Sequence, residues 1–147
     1  MGIKTQLEYT YMIERNEEWH VTYKVLIVDD SKLARMSVVK VLSALHADWP
    51  RIEAGNADEA LLQITQQHPD FVLLDFNMPG KDGLAFAAEL RHQHPHMGVA
   101  LISANRQVEV IRRAEAAGAT FLAKPLTEEG LREFFENAVK KRRGAAS

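Results

Sequence analysis

Four short stretches of this sequence end an apolar run on a residue able to do chemistry. Asp29 and Asp30 close VLIVDDS (25–31), and Asp75 closes the run inside VLLDFNMPGKDG (72–83). Ser103 closes the run in LISAN (101–105), and Lys124 with Pro125 follows the run in FLAKPL (121–126). A carboxylate at the end of a hydrophobic strand is costly to bury alone, so these acids should meet water, a cation or both. Three carboxylates brought together repel, and at least one is pushed toward its protonated form. A divalent cation relieves that repulsion, and carboxylates, a carbonyl and retained waters suit magnesium. Ser103 would add a hydroxyl to such a site and Lys124 an ammonium. A lone Asp-Asp pair says little, because most are solvated turn residues; the weight lies in every member of this set falling at the end of an apolar run.

The elements that must position them alternate strictly. Strands are expected at 24–28, 51–54, 71–74, 99–102 and 121–123, each a short apolar or β-branched run. After the first, Ser31 caps a helix with Ala34, Val38, Val41, Leu42 and Leu45 on one face. Asn56 caps a second helix that carries Ala60, Leu61 and Ile64. A third spans 84–91, behind the tight turns of MPG and DG, and a fourth spans 108–117, stopped by Gly118. Thr127 caps the last, which buries Leu131, Phe134, Phe135 and Ala138. Strands apolar on both faces, each followed by an amphipathic helix, imply a parallel sheet covered on both sides: an α/β, doubly wound (βα)5 sandwich. In such sheets ligands bind at the carboxyl ends of the strands near the topological switch point. The five chemical positions all stand at those ends.

At 147 residues the chain is long enough for one complete domain and short for two. Apolar residues make up 46% and charged residues 26%, the balance of a globular protein rather than a disordered one. Without a cysteine, thiolate metal sites, disulfides and cysteine nucleophiles are excluded. The net charge of −2 gives no general reason to expect nucleic-acid binding, and the basic run Lys140 to Arg143 reads as compensation of a helix dipole. No run approaches a membrane span and no secretory signal opens the chain, so the cytoplasm is the expected compartment.

The four motifs, in this order, closely resemble the receiver domain of two-component response regulators over roughly residues 23–141. The resemblance implies a flavodoxin-like sheet of order 2-1-3-4-5 and a phosphoryl-accepting Asp75, supplied by a sensor histidine kinase or a histidine phosphotransfer protein. It implies that Asp30 and Asp75 bind Mg2+ (or Mn2+) with their side chains, Asp29 chiefly through water, and Asn77 through its carbonyl. Lys124 would pair with Asp75 or the phosphoryl group, Ser103 would hydrogen-bond a phosphoryl oxygen, and the Lys124–Pro125 bond would be cis. Ser103 and Phe121 match the family's switch pair, with a permanently buried core aromatic as the plainer reading of Phe121. The output face would be the fourth helix, fifth strand and fifth helix, including Arg112, Arg113 and Glu115. Asn77 and Asn105 stand where the family tunes loss of the phosphoryl group.

The expected function is therefore a signalling module acting through protein contacts, monomeric or weakly dimeric, whose downstream target the sequence does not name. The nearest alternative is a receiver fragment of a larger regulator or hybrid kinase; no effector sequence follows the last helix. An aspartate-nucleophile phosphatase of the haloacid dehalogenase type is less favoured, because it wants an acid two places beyond the nucleophile and Asn77 stands there. Residues 1–22 stand outside the pattern as an N-terminal extension, in which Leu7, Tyr9, Tyr11 and Ile13 alternate with polar Glu8, Thr10 and Glu14, interrupted by Met12, so an extra strand and a loosely ordered tail are both compatible. His92, His94 and His96 alternate in a loop far from the rim and read as surface histidines.

Overall fold

The computed structural model describes residues 21–146. Five strands, β1 (Val25–Val28), β2 (Arg51–Ala54), β3 (Phe71–Asp75), β4 (Gly98–Ser103) and β5 (Thr120–Ala123), form one sheet of order β2-β1-β3-β4-β5. Every neighbouring pair is parallel. The helices α1 (Lys32–Leu45), α2 (Ala57–Gln67), α3 (Gly83–Gln93), α4 (Val108–Ala116) and α5 (Glu128–Ala146) follow the strands in turn. The expected doubly wound α/β sandwich with 2-1-3-4-5 order is the fold observed. The alternating segment at Leu7 to Ile13 lies outside the described residues.

Alternation along the inner strands divides the core into two layers. Leu26, Val28, Val72, Leu74, Val99 and Leu101 face one layer, closed by α2, α3 and α4. Val25, Ile27, Phe71, Leu73, Ala100 and Ile102 face the other, closed by α1 and α5. The fully buried ring of Phe71 gathers the aromatic residues there, with centroids of Tyr23, Trp49, Phe134 and Phe135 at 5.3, 6.0, 5.8 and 4.9 Å. A side-chain period of two on strands buried on both faces thus builds two cores from one set of runs.

The caps form as expected. Ser31 Oγ accepts from the Ala34 N–H, Asn56 Oδ1 from Glu59 and Thr127 Oγ1 from Gly130. The chain between β3 and α3 departs from expectation. Asn77–Met78 and Lys81–Asp82 pair as a two-residue antiparallel hairpin, its bend made by Pro79 and Gly80, the latter at φ 78°. Asp82 and Gly83 form no separate turn: Asp82 caps α3 through Leu84 N–H, and Gly83 is the first helical residue. A Cβ on Gly83 would stand 2.7 Å from the Phe76 carbonyl oxygen, so only glycine lets α3 start so close to the end of β3.

The basic run near the end of α5 also differs from its expected role. Arg142 turns back onto the sheet, donating from Nη1 to Asp70 Oδ1 at 2.9 Å and from Nε to the His96 carbonyl at 3.0 Å. Its guanidinium lies 5.7 Å from the Phe71 centroid, and the second Asp70 oxygen accepts from Lys24 N–H at 2.8 Å. Arg142 is a clasp between α5 and the sheet, whereas Lys140 and Lys141 stay exposed. Arg142→Met, which keeps the aliphatic packing and removes these bonds, is expected to cost about 1–3 kcal/mol of unfolding free energy, measured by urea titration.

Candidate functional site

Two neighbouring parallel ladders bring the acids together. Val28 pairs with Leu74 in register, so Asp29 and Asp30 leave β1 beside the point where Asp75 ends β3. The sheet order reverses between these strands, because β2 lies beyond β1 while β4 lies beyond β3. Carboxylate oxygens of Asp29, Asp30 and Asp75 lie within 4.8 Å of one another, the only cluster of potential metal-ligating side chains among the described residues. His92, His94 and His96 form no such cluster.

On the other side of β3, Asp75 pairs in the ladder with Ile102, and Ser103 with Ala123. Lys124 therefore emerges next to Ser103, and its backbone N–H donates to the Ser103 carbonyl at 2.9 Å. Its Nζ donates to Asp75 Oδ1 at 2.8 Å, with the carboxylate buried and the ammonium partly exposed. The Lys124–Pro125 peptide bond is cis. Ser103 is fully buried, and its Oγ accepts from Asn105 N–H at 3.0 Å, which leaves the hydroxyl hydrogen available to an oxygen acceptor at the rim.

Asp29 is 5% exposed, and burial, more than any charge, raises its pKa above the ordinary value of 3.8. The Asp75 and Asp30 carboxylates raise it further, while a hydrogen bond from Ser31 N–H and the charge of Lys124 act against them. An all-oxygen set with one opposing ammonium fits a hard divalent cation, which prefers oxygen and tolerates water in its shell. Asn77 sits in the hairpin just past Asp75 with its side chain exposed. Phe121 is half-buried against the α2–α4 layer, so it is neither a sealed core residue nor a freely exposed one. Arg112, Arg113 and Glu115 are exposed on α4.

Arg35 was not legible as a site residue. One turn into α1, its Nη1 donates to the Asp29 carbonyl at 2.6 Å and its Nε to Glu53 Oε1 at 2.9 Å. With Asp29 N–H donating to the Ala54 carbonyl at 3.1 Å, both backbone groups of Asp29 are held. The only available sequence signal was an arginine four residues beyond the Ser31 cap, a spacing common to many surface helices.

A groove runs from this rim between α1 and the start of α5, floored by Val38, Val41, Ile102 and Leu126. Leu33 and Met36 are exposed on α1 at 75% and 56%. No helix among the described residues is long and apolar enough to cross a membrane.

Residues 25–136 match the family model described as the response regulator receiver domain. The transcriptional activator protein ExaE of Pseudomonas putida is 35% identical over 101 residues, 68% of this chain and 47% of that protein. Sporulation initiation phosphotransferase F of Bacillus subtilis is 31% identical over 119 residues, 80% of this chain and 91% of that protein. The solved structure of the Vibrio cholerae chemotaxis protein CheY4 superposes with a TM-score of 0.70 at 28% identity, covering 80% of this chain and 99% of that one. The chain spans about half the length, or less, of most of the curated relatives it matches.

Two outcomes follow from the geometry. Asp29 is harder to ionise folded than unfolded, so its charge opposes folding increasingly as pH rises above the unfolded carboxylate value of about 3.9. Asp29→Asn keeps the acceptor for Ser31 N–H and removes the charge, so the metal-free protein should melt a few degrees higher near neutral pH, with the gain shrinking toward pH 4. Magnesium is expected to raise the melting temperature of the wild type; Arg35→Ala should reduce that rise by loosening the backbone of Asp29, and Arg35→Lys should restore part of it.

Proposed function

The chain belongs to the response regulator receiver family, and on that premise we propose that Asp75 accepts a phosphoryl group from a phosphohistidine. The donor is a sensor histidine kinase or a histidine phosphotransfer protein. The observation that carries this reading is the 2.8 Å pair between Asp75 and Lys124, formed at a rim where the Asp29 and Asp30 carboxylates also converge. Asp29, Asp30, Asp75 and the Asn77 carbonyl would hold Mg2+ (or Mn2+). When bound, that ion neutralises charge on the phosphoryl oxygens.

The remaining chemistry belongs to the chain. A carboxylate oxygen of Asp75 forms the new P–O bond as the donor's P–N bond breaks, and the imidazole keeps the electron pair. Phosphoryl transfer asks mainly for alignment and charge stabilisation. Lys124 is already within hydrogen-bond reach of the reacting carboxylate and can follow the transferred charge. The Ser103 hydroxyl donates to a phosphoryl oxygen once the group is in place. Asn77 and Asn105, two residues beyond Asp75 and Ser103, control access of the water that later removes it.

The modification adds about −1.5 to −2 charge near neutral pH. That charge draws Ser103 toward the phosphoryl group and frees space behind it for Phe121 to turn inward, which alters the face made by α4, β5 and α5. The half-buried state of Phe121 supports this reading, since such a ring has somewhere to go in either direction. Leu33, Met36 and the groove beside the rim offer an apolar surface for the donor protein. The module works in the cytoplasm, as a monomer or weak dimer, with residues 1–22 as an extension and 23–147 as the receiver. Its output is protein contact rather than direct nucleic-acid binding, and a longer regulator containing it would act through its own effector.

Intact-mass measurement after incubation with magnesium and acetyl phosphate tests the proposal. The wild type should gain the mass of one phosphoryl group and Asp75→Ala should gain none. A wild type that stays unlabelled where an established receiver is labelled, or an Asp75→Ala protein labelled as fully as wild type, overturns it.

A further inference from the structure

At the pole opposite the aspartates, the starts of β4 and β5 meet the end of α3 and the last turns of α5 around a small cleft. Its volume is about 90 Å³, more than the roughly 10–15 Å³ of such space that one water needs. That is room for a small anion. Arg91, Lys141, Arg142, His96, Thr120 and Asn137 supply its polar lining, and no carboxylate contributes.

The three permanent cations differ in what already engages them. Arg142 is paired with Asp70. Arg91 has no carboxylate partner among the described residues; its Nη1 donates to the carbonyls of Pro95 at 2.8 Å and Met97 at 2.7 Å, which fixes the plane of the guanidinium. Its Nε is the one buried side-chain nitrogen or oxygen among the described residues with no hydrogen-bond partner. Gly118, at φ 83°, lets this group lie flat on the backbone, since a Cβ there would stand 3.2 Å from Nε. Lys141 is exposed and makes no ion pair with another described residue.

Helix ends at this pole work against an anion, because each C-terminus carries about half a negative charge. The α3 end is partly satisfied already, with His94 N–H donating to the Leu90 carbonyl. Two uncompensated cations against that partial charge leave the cleft net positive. A pre-oriented guanidinium, a mobile ammonium and the neutral donors of Thr120 and Asn137 match the oxygens of a tetrahedral oxyanion.

We propose that the cleft between Arg91 and Lys141, at the amino ends of β4 and β5, binds a small oxyanion of the phosphate class. The site is independent of Asp75, at the other end of the strands, so the two readings stand or fall separately. Occupancy would tie α5 to the α3–β4 connection from the side remote from the phosphoryl group.

The test is an amide NMR titration of the full chain with inorganic phosphate, in metal-free buffer with chloride holding ionic strength constant. Saturable shifts at Gly98, Gly118 and Thr120 are expected, weakened about tenfold or more by Lys141→Glu and largely kept by Lys141→Arg. Lys141 is exposed, so neither variant threatens the fold. Shifts that never saturate, saturable shifts confined to the neighbourhood of Asp75 and Ser103, or equal affinity in Lys141→Glu and wild type would each overturn the assignment.

Discussion

Mutual repulsion among three carboxylates held within 4.8 Å is the constraint around which the functional rim is organised. Each such pair is worth roughly 1 kcal/mol in bulk water and about 4 kcal/mol at the effective dielectric of a protein surface. Left to themselves, these side chains would separate. They are held by β1 and β3, adjacent strands whose apolar residues are essentially out of water on both faces. Each fully buried aliphatic side chain stabilises the fold by about 1.5–3 kcal/mol, so the burial of these two strands outweighs the repulsion at their ends. The pKa of Asp29 is raised chiefly by its burial, with the Asp75 and Asp30 carboxylates adding to the shift.

Relief comes from across β3. Lys124 reaches Asp75 from β5 because the β4–β5 ladder sets Ala123 opposite Ser103 and aims the next residue at the rim. Lys124 N–H is bonded to the Ser103 carbonyl, so the ammonium and the hydroxyl are carried on one rung. Under the proposed phosphorylation, a displacement of Ser103 toward Asp75 would pass through this bond to the start of the β5–α5 connection. Arg35 performs the corresponding service for β1, fixing the carbonyl of Asp29 while its carboxylate is left to face its neighbours. The rim combines rigid backbone with side chains that retain unused hydrogen-bonding capacity, as a site awaiting a charged group requires.

Much of this was legible beforehand, and the places where it was not share a cause. Two-sided burial and the caps at Ser31, Asn56 and Thr127 follow from local chemistry repeated along the chain, and the caps formed at the residues named, whereas the strand order was implied only by the resemblance to the family. The MPGKDG segment reads as two turns, yet only the Pro79-Gly80 bend is one. Asp82-Gly83 opens α3 because the Phe76 carbonyl lies where any larger residue would collide. Arg142 looks like one of four equivalent cations until Asp70, 72 residues earlier, is found beside it. Arg35 and Phe121 raise the same difficulty: a long polar or aromatic side chain acts through whatever the fold sets within its reach.

The sequence by itself determined which residues end the strands and which run is buried, since side-chain period, capping chemistry and apolar runs act over a few neighbouring positions. It therefore placed Asp29, Asp30, Asp75, Ser103 and Lys124 at carboxyl ends, and carried the motifs by which the chain resembles its family. Only the tertiary structure decided which of those ends are adjacent, that Lys124 meets Asp75, that Arg35 holds Asp29, and that Arg142 is a clasp while Arg91 is not. Those are contacts between residues 6 to 72 positions apart. Their energies depend on distance and local dielectric, which exist only once the chain has closed around them.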